Sequence, residues 1–385
     1  MVAPRSIMVK RLLILLTIAA AGCQQGLISS SPRPSPTPSA LSACPAGTAA
    51  PVGPQVLLRN LPAPDDLAFD ASGRLLFGDI KAGTVSALRI DGSVQRIAGG
   101  LSVPEGIVEL ANGKLLVAEQ GRNRIVVIDP ASQAVSQWRA FVNRTGQEGI
   151  DGIGPELSSI SAAPGGLVVP DSPNGVVWRV SLDGKTSTQI GSGMTRPVGA
   201  AVDQSGRIFV ADEGGAVWTL DPARRRFASL PTPDDVVVGR AGHIFVNTLG
   251  DNAIHEFDPQ GRQLSMMSGL NQPQGIALDD GDNLYYSESG NGQIARVVRS
   301  FILDSPKVTR TTSGTFIICP VVRRAAGFSK PLTLLAPNAP TATLQLVQPG
   351  TDSSGALQVQ TAEHSVTINV GDGGLLNLSQ VVTLP

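Results

Sequence analysis

The sequence has little of what most hydrolytic and redox chemistry rests on: three histidines and three cysteines in 385 residues. His243, His255 and His364 stand far apart in sequence or outside any motif, so a Ser-His-Asp constellation is hard to assemble from them. All three read as surface or core fillers. A phosphate-cradling glycine loop, an HExxH and a paired CxxC are missing as well. So is a basic excess: 30 Lys+Arg against 31 Asp+Glu leave a net charge of −1, without the surplus that neutralising a phosphate backbone demands. Nucleic acid is therefore not an expected partner. Charged residues make up only 16% of the chain, while it holds 43 Gly and 29 Pro, a balance that favours many turns over long solvated helices. The longest N-terminal apolar run, Leu12 to Ala21, is at about ten residues too short to cross a ~30 Å hydrocarbon core.

What surrounds that run has the order of an export signal: Arg5, Lys10 and Arg11 before it, Ala20-Ala21-Gly22-Cys23 after it. The last four residues resemble the bacterial lipobox, with Ala20 where Leu is usual. The resemblance implies cleavage before Cys23 and lipidation of its sulfur. An ordinary signal peptide with an incidental cysteine is the alternative. Two or more acyl chains would hold the protein on a membrane, as a periplasmic or cell-surface lipoprotein of bacterial type. Residues 24–54, with Ser31-Pro32-Arg33-Pro34-Ser35-Pro36, have no apolar face to bury and read as an extended tether. With Cys23 set aside, Cys44 and Cys319 form an even pair in an oxidising compartment. A disulfide between them is expected; two free thiols are the alternative, since spacing alone does not bring two Cα atoms within bonding reach.

A turn followed by an apolar run recurs six times between residues 55 and 300. The runs begin at Leu75, Leu115, Leu167, Ile208, Ile244 and Leu284, at intervals of about 40 residues, the size of a four-stranded propeller blade. Each unit opens on a polar strand, as in Pro64-Asp65-Asp66-Leu67, Pro104-Glu105-Gly106-Ile107 and Pro273-Gln274-Gly275-Ile276. Asp91, Asp129, Asp183, Asp221 and Asp258 each precede Gly or Pro, which is turn chemistry and hence scaffold. Gln55 to Leu61 looks like a fourth strand without a blade of its own and is expected to close the ring on blade six, leaving no open edge. The expected fold is all-β: a six-bladed β-propeller over residues 55–300 with a small accessory β-domain over residues 301–385.

Stretches such as Ile208-Phe209-Val210-Ala211-Asp212 and Ala118-Glu119-Gln120-Gly121-Arg122 resemble the NHL-repeat propellers. More loosely they resemble the gluconolactonase and senescence-marker-protein propellers and virginiamycin B lyase. In the gluconolactonase-like enzymes a metal is held by a Glu opening blade one, an Asn opening blade four and an Asp opening blade five. The register places Asp65, Val198 and Asp234 there. Valine cannot coordinate a cation, so the implied metal set becomes Asp65, Glu105 and Asp234, with Glu105 as the substitute. The lyase uses a histidine base at the channel mouth, and this register provides none.

At the channel-lining start of the first strands the register sets Asp65, Glu105, Leu157, Val198, Asp234 and Gln274. Pro155 before Glu156 leaves Glu156 as an alternative for blade three. At the ends of the second strands it sets Asp79, Glu119, Asp171, Asp212, Thr248 and Glu288. These acids either reach the channel mouth or hydrogen-bond the following turn. Carboxylates crowded around one mouth repel each other and rise in pKa unless a cation compensates, and Ca²⁺ takes such an oxygen shell. The longer step from Leu115 to Leu167 places an extra loop near 143–152, which reads either as ligand-binding or as unconstrained surface, and Arg122 and Arg124 in the adjacent turn read as solvated surface charge or, alternatively, as a cationic contact. The expected function is a monomeric, membrane-tethered, non-catalytic propeller that binds a protein, glycan or small ligand at its mouth. The alternative is a Ca²⁺-dependent lactone or ester hydrolase.

Overall fold

The second strands are apolar without alternation because both of their faces are covered. In the computed structural model, Leu75–Asp79, Leu115–Glu119, Ile208–Asp212, Ile244–Thr248 and Leu284–Glu288 are buried at every residue, as is Gly166–Asp171 in the third repeat. The structure describes residues 53–89, 92–142, 150–155, 166–220, 223–240, 242–279 and 281–299, and beyond residue 300 chiefly the backbone of the strands. Cys23, Cys44, Asp91, Asp221, Glu156 and Leu157 lie outside the described residues, and Cys319 is described only as backbone of the strand Phe316–Arg324.

Each repeat is a four-stranded antiparallel sheet, and the sheets succeed one another as six blades. The alternation of side chains along a second strand assigns one face to each neighbour. Leu76 packs with Leu115 and Val117 of blade two, whereas Leu75 and Phe77 pack with Tyr285 and Ile294 of blade six. The same division joins Leu116 to Leu167 and Val169, Val168 to Ile208 and Val210, Phe209 to Ile244 and Val246, and Phe245 to Leu284 and Tyr286. One apolar cluster per blade junction closes the circle. Gln55–Leu58 completes it as the outermost strand of blade six, paired with Gln293–Val297.

The turn aspartates act as scaffold. Asp129, Asp183 and Asp258 accept backbone N–H groups at Ala131, Lys185 and Gln260 (3.0 Å each). Asp70 and Asp203 do the same one turn earlier, each accepting N–H groups from a Ser and an Arg two and four residues on.

Blade three corrects the register. Its first strand is Gly154–Pro155, with Gly154 opposite Val168, where blade two sets Val108 opposite Leu116. Asp151 therefore holds the place of Glu105, and neither Glu156 nor Leu157 does. The added residues fall on both sides of that strand, which hid the equivalence of Ile150-Asp151-Gly152-Ile153 to Pro104-Glu105-Gly106-Ile107.

Beyond Val297 a long hairpin, Phe301–Arg310 with Phe316–Arg324, precedes a four-stranded sheet of Ser365–Val370, Gly355–Gln360, Leu332–Leu335 and Val382–Leu384. Among the described residues no helix is long and apolar enough to cross a membrane.

The innermost strands run so close together that a Cβ on Gly275 would stand 2.5 Å from the Asp65 carbonyl oxygen and 2.6 Å from the Asp66 Cα. Gly275→Ala must push blades six and one apart. The expected cost is about 1–3 kcal/mol, the usual range for overpacking, read from urea unfolding. An unchanged midpoint would mean that the inner ring yields without strain.

Candidate functional site

Every inner strand except that of blade three begins at a proline, which has no N–H to give to a ladder and so suits a strand's first position. Directly after it the pairing skips: between Pro64 and Leu67, Pro104 and Ile107, Pro233 and Val236, Pro273 and Ile276, and, more briefly, Pro197 and Gly199. Residues released from a ladder in this way are re-aimed by the bulge. Here they turn into the mouth of the central channel, a cavity of about 310 Å³ lined by Asp65, Asp66, Glu105, Asp151, Val198, Glu213, Asp234, Asp235 and Gln274. Arg196 is the one cationic side chain on that wall among the described residues.

Asp65, Glu105 and Asp234 thus face one cavity, as the register placed them. Four further acids join them, Asp66, Asp151, Glu213 and Asp235. Asp66 and Asp235 were passed over because four of the six blades carry glycine at their position, Gly106, Gly152, Gly199 and Gly275; the repetition of Asp in Asp65-Asp66 and Asp234-Asp235 was the available signal. Asp151 was hidden by the irregular blade. A buried amide was also missed. Asn247 accepts the Asp235 N–H at 2.6 Å and donates to Asp234 Oδ2 at 3.1 Å and to the Pro273 carbonyl at 2.7 Å, which fixes the blade-five pair against blade six. Asp235 in turn accepts the Val236 and Ile276 N–H groups at 2.7 and 3.2 Å.

The other acids do something different. Asp79 accepts the Ala82 N–H (2.8 Å), Asp212 the Arg196 N–H (2.8 Å) and Trp218 Nε1–H (3.0 Å), Asp171 the Trp178 Nε1–H (2.9 Å), and Glu288 the Asn271 N–H (2.8 Å). Glu119 accepts the Ser102 N–H (2.9 Å) and pairs with Arg122 and Arg124. None of these five carboxylates lines the cavity. Asp79, Glu119, Asp212 and Glu288 bind the segments that link one blade to the next, through the N–H groups of Ala63, Ser102, Arg196 and Asn271, because orphan N–H groups there need buried acceptors. Asp171 holds the Asn174 and Trp178 side chains of its own blade, and the two arginines are consumed with Glu119. Gln274, placed with the starts of the first strands, does line the cavity.

Electrostatics at the mouth are dominated by burial. It pushes Asp65 up to about 6, against a hydrogen bond from Glu105, and Asp235 up to about 7, against its two backbone N–H bonds. Asp66, Glu105 and Asp234 rise well above the carboxylate range, through burial first and then through neighbouring charges, led by Asp235 for Asp66, Asp65 for Glu105 and Asp151 for Asp234. Arg196 offsets the opposite wall, pairing with Asp151 at 3.3 Å and with Glu213, and Gln120 donates to Asp151 at 2.9 Å. The Asp65, Asp66 and Glu105 side has no cationic side chain among the described residues. Its ligand oxygens lie within 4.8 Å of one another, an all-oxygen set that fits a hard divalent ion and has no soft donor for zinc or copper.

No family model matches the chain, and no curated protein matches it in sequence. Solved structures do resemble it. A gluconolactonase from Xanthomonas campestris superposes with a TM-score of 0.54 at 20% identity, over 68% of this chain and 92% of that one. A putative gluconolactonase gives 0.53 at 15% identity, over 71% and 96%. Regucalcin, a calcium-binding protein from Agrobacterium tumefaciens, gives 0.54 at 15% identity, over 65% and 95%. The chain is therefore a six-bladed β-propeller with the architecture of the gluconolactonase and regucalcin structures. At these identities the likeness is one of fold.

A carboxyl whose pKa is higher folded than unfolded binds its proton more tightly in the native state, so stability falls as pH rises from about 4 towards the folded value. For Asp235 that window closes at about 7. In chelator, the melting temperature of the wild type should fall relative to Asp235→Asn between about pH 4.5 and 7.5. Parallel curves would show that the cluster carries no such strain.

Proposed function

We propose that this chain is a membrane-tethered, extracytoplasmic propeller. Its mouth holds a hard divalent cation, Ca²⁺ in the first instance, and hydrolyses a small lactone or ester. The observation that carries this reading is the convergence of Asp65, Asp66 and Glu105 within ligand distance of one another, facing two further acids, Asp151 and Asp234, in one cavity. The Ca²⁺-binding trio supplies one wall, and the facing acids are left over for chemistry. When bound, the cation would polarise a substrate carbonyl and stabilise the negative charge that develops on it.

Asp234 has the attributes of a general base for the attacking water: it is buried, steered by the Asn247 amide, and raised in pKa by burial and by Asp151. A carboxylate raised in this way is a stronger base than an ordinary aspartate. Arg196, braced between Asp151 and Glu213, offers the carboxylate product a positive charge. The lipid anchor at Cys23 and the tether belong to the same reading as its setting.

A non-catalytic receptor is the second reading. It is favoured by Val198, which lines the same cavity and supplies no ligand atom where gluconolactonase-like enzymes carry an asparagine.

A melting series with Ca²⁺, Mg²⁺, Mn²⁺ and Zn²⁺ comes first. Native-state binding at a hundredfold excess over Kd adds about 2.7 kcal/mol, several degrees in Tm. The shift should be lost in Glu105→Gln. No shift with any ion would remove the cation site from both readings. Turnover of aliphatic lactones or phenyl esters that drops at least a hundredfold in Asp234→Asn separates enzyme from receptor; a metal shift without turnover leaves the receptor.

A further inference from the structure

Below the carboxylates the channel changes character. The same axis continues as a bore of about 200 Å³ whose wall includes Ala68, Phe69, Ile107, Val202, Val238 and Leu278. Asp66, Gly152 and Asp235 line both spaces, so the acidic mouth adjoins the bore. Beneath that waist the only charged side chain on the wall among the described residues is Glu109. It is engaged at the far rim, where it accepts the Ala71 N–H at 2.5 Å. The remaining polar surface is inner-strand backbone.

We infer that the bore seats an unbranched hydrocarbon chain carried by the compound whose carbonyl sits at the mouth, so that the substrate class is an aliphatic acyl lactone or ester. This rests on the hydrolase reading above and narrows it. From Asp66 to Phe69 the inner strand advances roughly 10 Å at ~3.3 Å per residue, long enough for a chain rather than a single methyl group. An apolar cavity of about 150 Å³ already accepts benzene, so this bore has room for a medium-length chain. A polyhydroxylated tail is disfavoured because the apolar side chains of the bore give its hydroxyls no partner and leave them only the inner-strand backbone. The two halves of the channel thus match the two halves of one amphiphilic ligand.

The test uses the mature chain with Ca²⁺ and the series γ-butyrolactone, γ-hexalactone, γ-octalactone and γ-decalactone, with gluconolactone alongside. Both Kd, by calorimetry, and kcat/KM are read. Each added methylene should tighten binding about three- to fourfold until the bore is full, and gluconolactone should bind more weakly than γ-octalactone. Ala68→Leu and Val238→Phe, two independent ways to fill the bore, should flatten the series. Retention of the Ca²⁺-dependent melting shift certifies that each variant is folded. A Kd that does not change with chain length overturns the inference, even if short lactones are hydrolysed. A rising series without turnover removes hydrolysis and leaves the bore as a hydrocarbon site.

Discussion

The closeness of the six inner strands is the constraint on which the site depends. Where they converge, the backbone of one blade lies against the next with no space for a side chain: a Cβ on Gly106 would stand 2.3 Å from the Ile153 nitrogen, and one on Gly199 would stand 2.6 Å from the Asp234 carbonyl oxygen. Glycine is therefore required at four of the six equivalent positions. At the other two, blades one and five, the ring admits a side chain, and both times it is an aspartate. Asp66 and Asp235 are thus the places where the six-fold scaffold gives way to a two-sided site. Blade six lies between them, and its Ile276 N–H helps hold Asp235.

The same repeat explains why acids of similar sequence position have different roles. At the ends of four of the second strands a buried carboxylate meets an N–H group of the inter-blade segment. Blade five departs from this pattern. There Thr248 replaces the acid, Asp251 reaches in from the turn to accept its hydroxyl, and His255 contacts Asp251 at 3.1 Å, much as Trp178 and Trp218 serve Asp171 and Asp212 in blades three and four. His255 is accounted for by that turn. His243 is likewise accounted for by Glu256, which burial pushes up but which the bonds from Arg299, Ser265 and His243 hold at about 2.

Much of the fold was legible because it rests on local chemistry repeated six times: turn aspartates, Pro-headed inner strands and fully apolar second strands. Ring closure by Gln55–Leu58 was legible for the same reason. The site was legible only where it follows the repeat. Asp65, Glu105, Asp234 and Gln274 could be found by counting, and they do share a cavity. Asp151 could not, because inserted residues on both sides of its strand break the count. Asp79, Glu119, Asp171, Asp212 and Glu288 have the right height in the blade, yet direction is decided by which N–H groups lack partners, and a sequence does not display those. Asn247 gave no signal at all, since its function comes from a backbone in the neighbouring blade.

That mixture has an energetic logic. Buried carboxylates without a compensating cation can remain in a fold only by keeping protons, and each proton held near neutral pH lowers native stability relative to a chain that could ionise freely. The propeller tolerates this because its cohesion lies elsewhere, in the apolar clusters at every blade junction, while the mouth contributes little packing. On the Arg196 side the conflict is relieved internally, by ion pairs to Asp151 and Glu213. On the Asp65, Asp66 and Glu105 side it is not. Among the described residues an arginine meets one wall of the acidic mouth and none meets the other, and that asymmetry is what the proposed cation would answer. An ion arriving there would displace protons and so would be felt both as binding and as stability.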